Sequence, residues 1–337
     1  MGRAVTDARV LTRALADPEF TAELDGDGWT ALIAMARAEQ LIGTLAARVD
    51  GLRLPGAVAS VLDDARAGAE AARRSALWEA EMVRRALAPL DVPVILLKGT
   101  AYAAAGLSAA TGRQIGDCDI LIPRAALDAV EAALSDAGWE WVKPDPYDDA
   151  YYRRWMHELP PLIHVARDRM VDVHHTILPL TARPKPKPER LIAAAVPLGN
   201  GLSVLSPPDM IVHAAAHLFA DGDLAGGLRN LWDIDRLVRE DASGLAEHAR
   251  AHDLVAAVAR ALRLSRLLYG TPVDDAVAGP PRASDAWFAR RLLARDGWGR
   301  ATRPTTRLGF YVRSHALRMP PAMLARHLWI KWRSNRA

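Results

Sequence analysis

The stretch Asp117-Cys118-Asp119-Ile120-Leu121-Ile122, stopped by Pro123, decides how this chain is read. It alternates for one strand length and then meets a residue that cannot continue a ladder. Successive strand side chains point to opposite faces, so Asp117 and Asp119 share one face while Cys118 and Ile120 enter the layer behind it. Two like charges roughly 7 Å apart on one face repel unless a cation lies between them. Oxygen-only ligands favour Mg²⁺ over zinc. Further along, Met170-Val171-Asp172-Val173-His174 repeats the pattern, with Asp172 and His174 on one face and Val171 and Val173 on the other. If that strand lies beside the first, three carboxylates converge, a set able to hold two Mg²⁺ ions.

Upstream, Val92-Pro93-Val94-Ile95-Leu96-Leu97 reads as a buried strand running into Lys98-Gly99-Thr100 and a helix over residues 101–106. A glycine at a strand-to-helix turn lets the backbone approach a phosphate, and the N–H groups of the helix start donate to it. Lys98 and Arg113 are expected to add positive charge over a triphosphate. No Gly-x-x-x-x-Gly-Lys-Ser/Thr loop occurs. After Pro123 the pattern predicts a helix over 124–137 ended by Gly138, a strand over 139–142, and a hairpin of strands 162–165 and 170–174 turning through Arg167-Asp168-Arg169.

The chain has 337 residues, half of them apolar and a quarter charged, which excludes disorder as its main state. Cys118, the single cysteine, cannot form an internal disulfide and is read as a small core residue. With no secretory signal and no run of eighteen apolar residues, the expected location is cytoplasmic. Charge is uneven: residues 281–337 hold thirteen Lys/Arg against two acids, a surplus of eleven. With +3 for the whole chain, residues 1–280 carry −8. Such a basic end attracts RNA or another acidic partner, or forms a solvated face. Within it Met323, Leu324, Leu328, Trp329 and Trp332 form a stripe expected to pack a terminal helix on the body.

Helical periodicity over 8–50, broken near Gly26-Asp27-Gly28, and over 58–90 gives an N-terminal helical region, residues 1–90. A core over 91–182 follows, then the stiff connector Arg183-Pro184-Lys185-Pro186-Lys187-Pro188. Residues 189–275 form a helical acceptor-side part, its first helix capped at Ser206-Pro207-Pro208-Asp209 and running through Leu218, and 276–337 a basic helical segment. His213 and His217 share one helix face, but Ala214 stands where a His-Glu-x-x-His zinc protease needs its glutamate, so protease chemistry is excluded. The pair is read as partly buried and hydrogen-bonded to Asp233 or Asp235, with substrate binding as the alternative, and His175 as structural. No Gly-x-Ser-x-Gly elbow or Gly-x-Gly-x-x-Gly fingerprint appears.

The order strand, Leu96-Leu97-Lys98-Gly99-Thr100, Arg113, Asp-x-Asp strand, helix, then Val171-Asp172-Val173-His174 resembles the DNA polymerase beta-like nucleotidyltransferase superfamily. Most closely it resembles an uncharacterised bacterial nucleotidyltransferase family with the pattern LKG…R…DIDLL…VDLHW. The matching stretches fall within residues 92–177, about a quarter of the chain, and a weaker likeness continues at His213-Ala214-Ala215-Ala216-His217 and Leu231-Trp232-Asp233-Ile234. Thr100 replaces the superfold's usual serine, and eighteen positions separate Gly99 from Asp117, more than in minimal members but similar to abortive-infection toxins.

The resemblance implies an α+β fold, a small mixed sheet with flanking helices plus N- and C-terminal helical parts. It implies a Mg²⁺-dependent enzyme with Asp117, Asp119 and Asp172 as metal ligands and Asp172 also as base. Lys98, Gly99, Thr100 and Arg113 are expected to bind the nucleotide, ATP or another NTP. His174, His217, Arg229 and Asp233 are expected on the acceptor side or behind the ligands. NMP would pass to a hydroxyl of a small molecule, a peptide or protein, or RNA. The alternatives are a non-catalytic nucleotide sensor or toxin–antitoxin-like module, and a kinase-like phosphotransferase.

Overall fold

A computed structural model describes residues 7–143, 146–220 and 222–318. The aromatic stripe of the C-terminal segment lies outside these residues. Four helices open the chain: α1 (Arg9–Ala16), α2 (Gly26–Ala38), α3 (Ile42–Arg48) and the long α4 (Gly56–Leu87). The glycines at 26 and 28 start a helix rather than interrupt one, because the Asp25 side chain accepts from the Gly28 N–H at 2.9 Å and caps α2.

Strand β1 is only Ile95–Leu96, since Pro93 supplies no donor and the chain turns directly after Leu97. Helix α5 then starts at Lys98, three residues before the expected start, and runs to Ala104. Next come β2 (Asp117–Leu121), a 3-10 turn over Arg124–Ala126, α6 (Leu127–Asp136), β3 (Trp139–Trp141) and α7 (Pro146–Trp155). The hairpin β4 (Leu162–His164) and β5 (Met170–His174) turns where expected, with Asp168 in left-handed backbone. Helix α8 (Pro188–Ala193) follows the connector, and then two short strands, β6 (Val196–Pro197) and β7 (Ser203–Val204). Seven helices complete the described chain: α9 (Pro207–Ala220), α10 (Gly227–Glu240), α11 (Leu245–Ala251), α12 (Val255–Tyr269), α13 (Asp275–Ala278), α14 (Ala283–Leu292) and α15 (Pro304–Arg318).

The fold is α+β: one mixed sheet of order β3-β4-β5-β2-β1-β7-β6, flanked by helices. Strands β6 and β7 were read as part of a purely helical stretch, and at two residues each they have no period to detect. β7 pairs parallel with β1, so the sheet takes strands from both sides of the Pro-Lys connector.

Strand β2 lies between β1, antiparallel, and β5, parallel. The β2–β5 register sets Asp119 against Asp172 and Cys118 against Val171. Cys118, Ile120, Val171 and Val173 are each at most 1% exposed and face the layer that holds α4. A one-residue slip of β2 would drive both aspartates into that layer, at several kcal/mol each. A half-buried pair reinforces the layer: Arg167, in the β4–β5 turn, donates both forks to the buried Glu79 of α4 at 2.9 Å.

Arginines of the basic segment also turn inward. Arg291, Arg295 and Arg303 pair with Asp223, Glu39 and Asp7 of the acidic body. Part of the charge asymmetry is thus neutralised within the molecule. No described helix is long and apolar enough to cross a membrane.

Candidate active site

Alternation along β2 and β5, with their parallel register, puts Asp117, Asp119 and Asp172 on one face of the sheet. One carboxylate oxygen from each lies within 4.8 Å of the other two. Asp119 is buried, and Asp117 and Asp172 are half-buried. The Asp172 Oδ1 atom is buried with no hydrogen-bond partner. An anionic oxygen left unpaired in that way is a strong demand for a cation. An all-carboxylate donor set of this size suits a hard divalent ion such as Mg²⁺.

Asp119 differs from its neighbours because it already has cationic and donor partners. Lys98 Nζ donates to Asp119 Oδ1 at 2.5 Å, and His174 Nε2 lies 3.0 Å from the same oxygen. Burial raises the Asp119 carboxyl, but Lys98 and His174 outweigh it and hold it well below the usual carboxylate range. At Asp117 the balance is reversed: burial first, then Asp119, outweigh the opposing Lys98 and Arg113 charges and raise its carboxyl. Asp172 is pushed up to about 7 by burial and by its neighbours Asp119 and Glu158.

This gives a first expected outcome. In metal-free protein Asp172 holds a proton below about pH 7 that the unfolded chain, with an ordinary carboxyl near 3.8, has released. The folded state therefore binds more protons across that window, and this group's contribution to stability falls as pH rises towards 7. A divalent ion must displace the proton, so Mg²⁺ should raise the melting temperature more at pH 8 than at pH 5.5. Equal increments at both pH values would contradict this.

The sequence suggests Lys98 and Arg113 as triphosphate cations and Gly99-Thr100 as an open phosphate turn. The structure gives these residues additional work. Lys98 adopts left-handed backbone, φ +49°, costly for a residue with a Cβ, and from it the ammonium reaches Asp119. The Thr100 hydroxyl donates to the Asp117 carbonyl at 3.0 Å and is buried. It anchors the start of β2 to α5. Arg113 forms an ion pair with Asp233 Oδ2, and Arg229 donates to Asp233 Oδ1 at 2.6 Å and to the Thr44 hydroxyl at 2.6 Å. Asp233 thus fixes two guanidinium groups, one on the loop before β2 and one on α10.

The space above Gly99 is taken by Arg113: a Cβ there would lie 2.5 Å from Arg113 Nε and 3.2 Å from its Cδ. Gly99→Ala should displace Arg113 from Asp233 while leaving the sheet intact. The expected outcome is a loss of Mg-NTP affinity of about tenfold, the effect of one charge-assisted contact, measured by calorimetric titration. Unchanged affinity would detach Arg113 from nucleotide binding.

These groups line a cleft of ≈ 550 Å³ beside Asp117, with Lys98, Gly99 and Arg113 on one wall and His217, Arg229 and Asn230 on the other. Arg295, from the basic segment, also lines it. His217 and Arg229 therefore do reach the space next to the carboxylates, whereas His174 and Asp233 act through Asp119 and the arginines. Asp233 and Asp235, the expected partners of the histidine pair, accept from Arg113 and Arg229 and from Arg236, Arg239 and Thr271 respectively. His213 is buried, and burial, with Lys98 and His217, pushes its pKa down.

Sequence reasoning missed Glu158 and Arg295. Glu158 bridges to His174 across the sheet edge, its Oε2 lying 3.4 Å from His174 Nδ1. Its signal was absent because it sits in a loop with no period. Two further clusters have metal-like composition. In His157, Glu158 and His174, the His174 Nε2 is engaged by Asp119. In Asp209, His248 and His252, the His252 Nδ1 accepts from the Lys187 N–H at 3.2 Å. Its proton is then on Nε2, which faces Asp209 Oδ1 at 3.4 Å, and the nitrogen is not free to ligate.

The mixed sheet thus gathers three carboxylates beside a cleft lined by Lys98, Arg113, Arg229 and Arg295. Residues 25–270 match the family described as uncharacterised nucleotidyltransferase, and the chain belongs to that family. No curated protein matches it. The match takes in α2–α4 and α8–α12 as well as the sheet, a wider span than the motif region alone, and leaves α1 outside.

Proposed function

We propose that the protein is a Mg²⁺-dependent nucleotidyltransferase that moves NMP from an NTP to an acceptor hydroxyl and releases pyrophosphate. The observation that carries this is the carboxylate trio with an unpartnered buried oxygen on Asp172, set beside a cleft lined by Lys98, Arg113, Arg229 and Arg295. Asp117, Asp119 and Asp172 would hold the metal, which when bound neutralises phosphate charge and favours departure of pyrophosphate. The four cations take the triphosphate. Asp172, ionised once the ion displaces its proton, would also be the base that accepts the acceptor's proton. Lys98 and His174 hold Asp119 ionised and oriented, Glu158 supports His174, and Asp233 aims Arg113 and Arg229.

Residues 189–275 supply the wall opposite the Lys98-Gly99 turn, through His217, Arg229 and Asn230, and the acceptor is expected to enter along it. Small molecule, peptide or protein, and RNA acceptors all fit a polar, open cleft. The cytoplasm, where Mg-NTP is abundant, is the proposed setting.

The test is incubation with each NTP labelled in turn at the α- and γ-phosphate, with Mg²⁺ and cell extract, followed by mass analysis of labelled products. Transfer of α-label supports the proposal and sizes the acceptor. Transfer of γ-label alone makes the protein a phosphotransferase, and tight Mg-NTP binding without transfer makes it a nucleotide sensor.

A further inference from the structure

A second cavity, ≈ 270 Å³, lies against the neighbouring face of α9. Ala216 and Phe219 line it, whereas His217 lines the cationic cleft, so one helix separates the two chambers. Leu178, Leu254 and Leu317 make the rest of the wall apolar. The Arg183-Pro184 start of the stiff connector closes one side, which gives that motif a place in the fold.

Against this apolar wall stand two further arginines, Arg260 and Arg313. Other arginines nearby have carboxylates: Arg263 pairs with Asp285 and Arg266 with Asp275. Among the described residues Arg260 and Arg313 have none. Arg260 lies over the rings of Phe288 and Phe219 at 4.5 and 5.5 Å, and its Nε is buried without a hydrogen-bond partner. Arg313 lies over Phe288 at 5.1 Å, and its Nη1 reaches the Phe219 and Gly222 carbonyls only at 3.5 and 3.4 Å. Burial lowers both guanidinium groups, Arg313 to about 10; Arg263 adds to this at Arg260, partly opposed by Asp285, and Arg260 adds to it at Arg313. Ring faces offset part of the cost of two like charges held together, but a cation with bidentate donors is best satisfied by an anion.

We propose that this cavity binds an amphipathic monoanion, an acyl carboxylate of medium chain length, with its tail along Leu178, Phe219 and Leu254 and its carboxylate between Arg260 and Arg313. The volume lies just below the ~300–1,000 Å³ of drug-sized ligand pockets, which suits a single short chain. A nucleotide is a poor match, because its base and sugar need polar partners that this wall lacks. The inference is independent of the transfer reaction.

The test is calorimetric titration of the full chain with decanoate and, separately, with decanol, repeated on Arg260→Gln, Arg313→Gln and the double variant. The expected result is saturable decanoate binding, decanol weaker by at least about tenfold, and a similar loss of decanoate affinity in the double variant. Ala216→Trp, which fills the cavity without touching either charge, should abolish binding of both ligands. Absence of saturable decanoate binding overturns the proposal. So does equal affinity for the alcohol, a comparison that needs no variant, or unchanged binding in the double variant with its thermal melt preserved.

Discussion

Asp119→Asn is expected to abolish transfer and to destabilise the protein at the same time. Loss of one metal-binding carboxylate removes several kcal/mol of transition-state charge stabilisation, about 10³-fold in rate. The structural part arises from Lys98, whose ammonium meets Asp119 Oδ1 at 2.5 Å on a buried strand. Removing one partner of a buried pair strands the other charge, at about 3–5 kcal/mol. Asp117 makes no comparable pair among the described residues, so Asp117→Asn should lose transfer while keeping its stability. Chemical denaturation distinguishes the cases. The double variant Lys98→Met/Asp119→Asn strands no charge and should recover much of the loss while staying inactive. An Asp119→Asn protein as stable as the parent would show that the pair contributes nothing to folding.

Asp172→Asn should separate activity from stability in the opposite direction. Transfer should fall by about 10²–10⁴, the range for loss of a positioned base. Stability should not fall. Asp172 is held at about 7 by burial and by Asp119 and Glu158, so ionising it in the metal-free fold is unfavourable. Converting the distance from 3.8 to about 7 at 1.36 kcal/mol per unit gives an upper bound of about 4 kcal/mol, which solvent access to the half-buried side chain reduces. The amide resembles the protonated acid. With chelator present, parent and variant should match near pH 5, where the parent is protonated, and the variant should be the more stable at pH 8. Denaturation midpoints at the two pH values measure this directly. A variant less stable than the parent at pH 8 would mean that the ionised carboxylate is already compensated by the protein.

The two experiments together divide the trio by role. Asp119 is already neutralised within the protein by Lys98 and would be the structural ligand of the proposed ion. Asp172 is the unsatisfied one, its Oδ1 without a partner.

Much of the carboxylate arrangement was legible from local pattern. Strand alternation is a property of the backbone, so Asp-Cys-Asp on β2 and Val-Asp-Val-His on β5 declare their faces without any knowledge of neighbours. The hairpin turn at Asp168 is likewise local, whereas the cap at Asp25 shows in the sequence only as a break near Gly26-Asp27-Gly28. The two-residue strands β6 and β7 were not legible, because their existence depends on pairing with β1 and each other. Glu158 and Arg295 were hidden for the same reason: each reaches the site from a loop, and no period marks a loop residue.

By itself, then, the sequence determined the α+β class, the faces of the two acidic strands and the residue types available for phosphate and metal. Tertiary structure alone decided their partners. It set the parallel register that brings Asp119 opposite Asp172, and it turned Lys98 into left-handed backbone so that its ammonium meets Asp119. It also delivered Asp233 from α10 to hold Arg113 above Gly99. The reason is physical: side-chain direction follows from φ and ψ one residue at a time, whereas charge pairing and burial depend on groups twenty to more than a hundred residues apart.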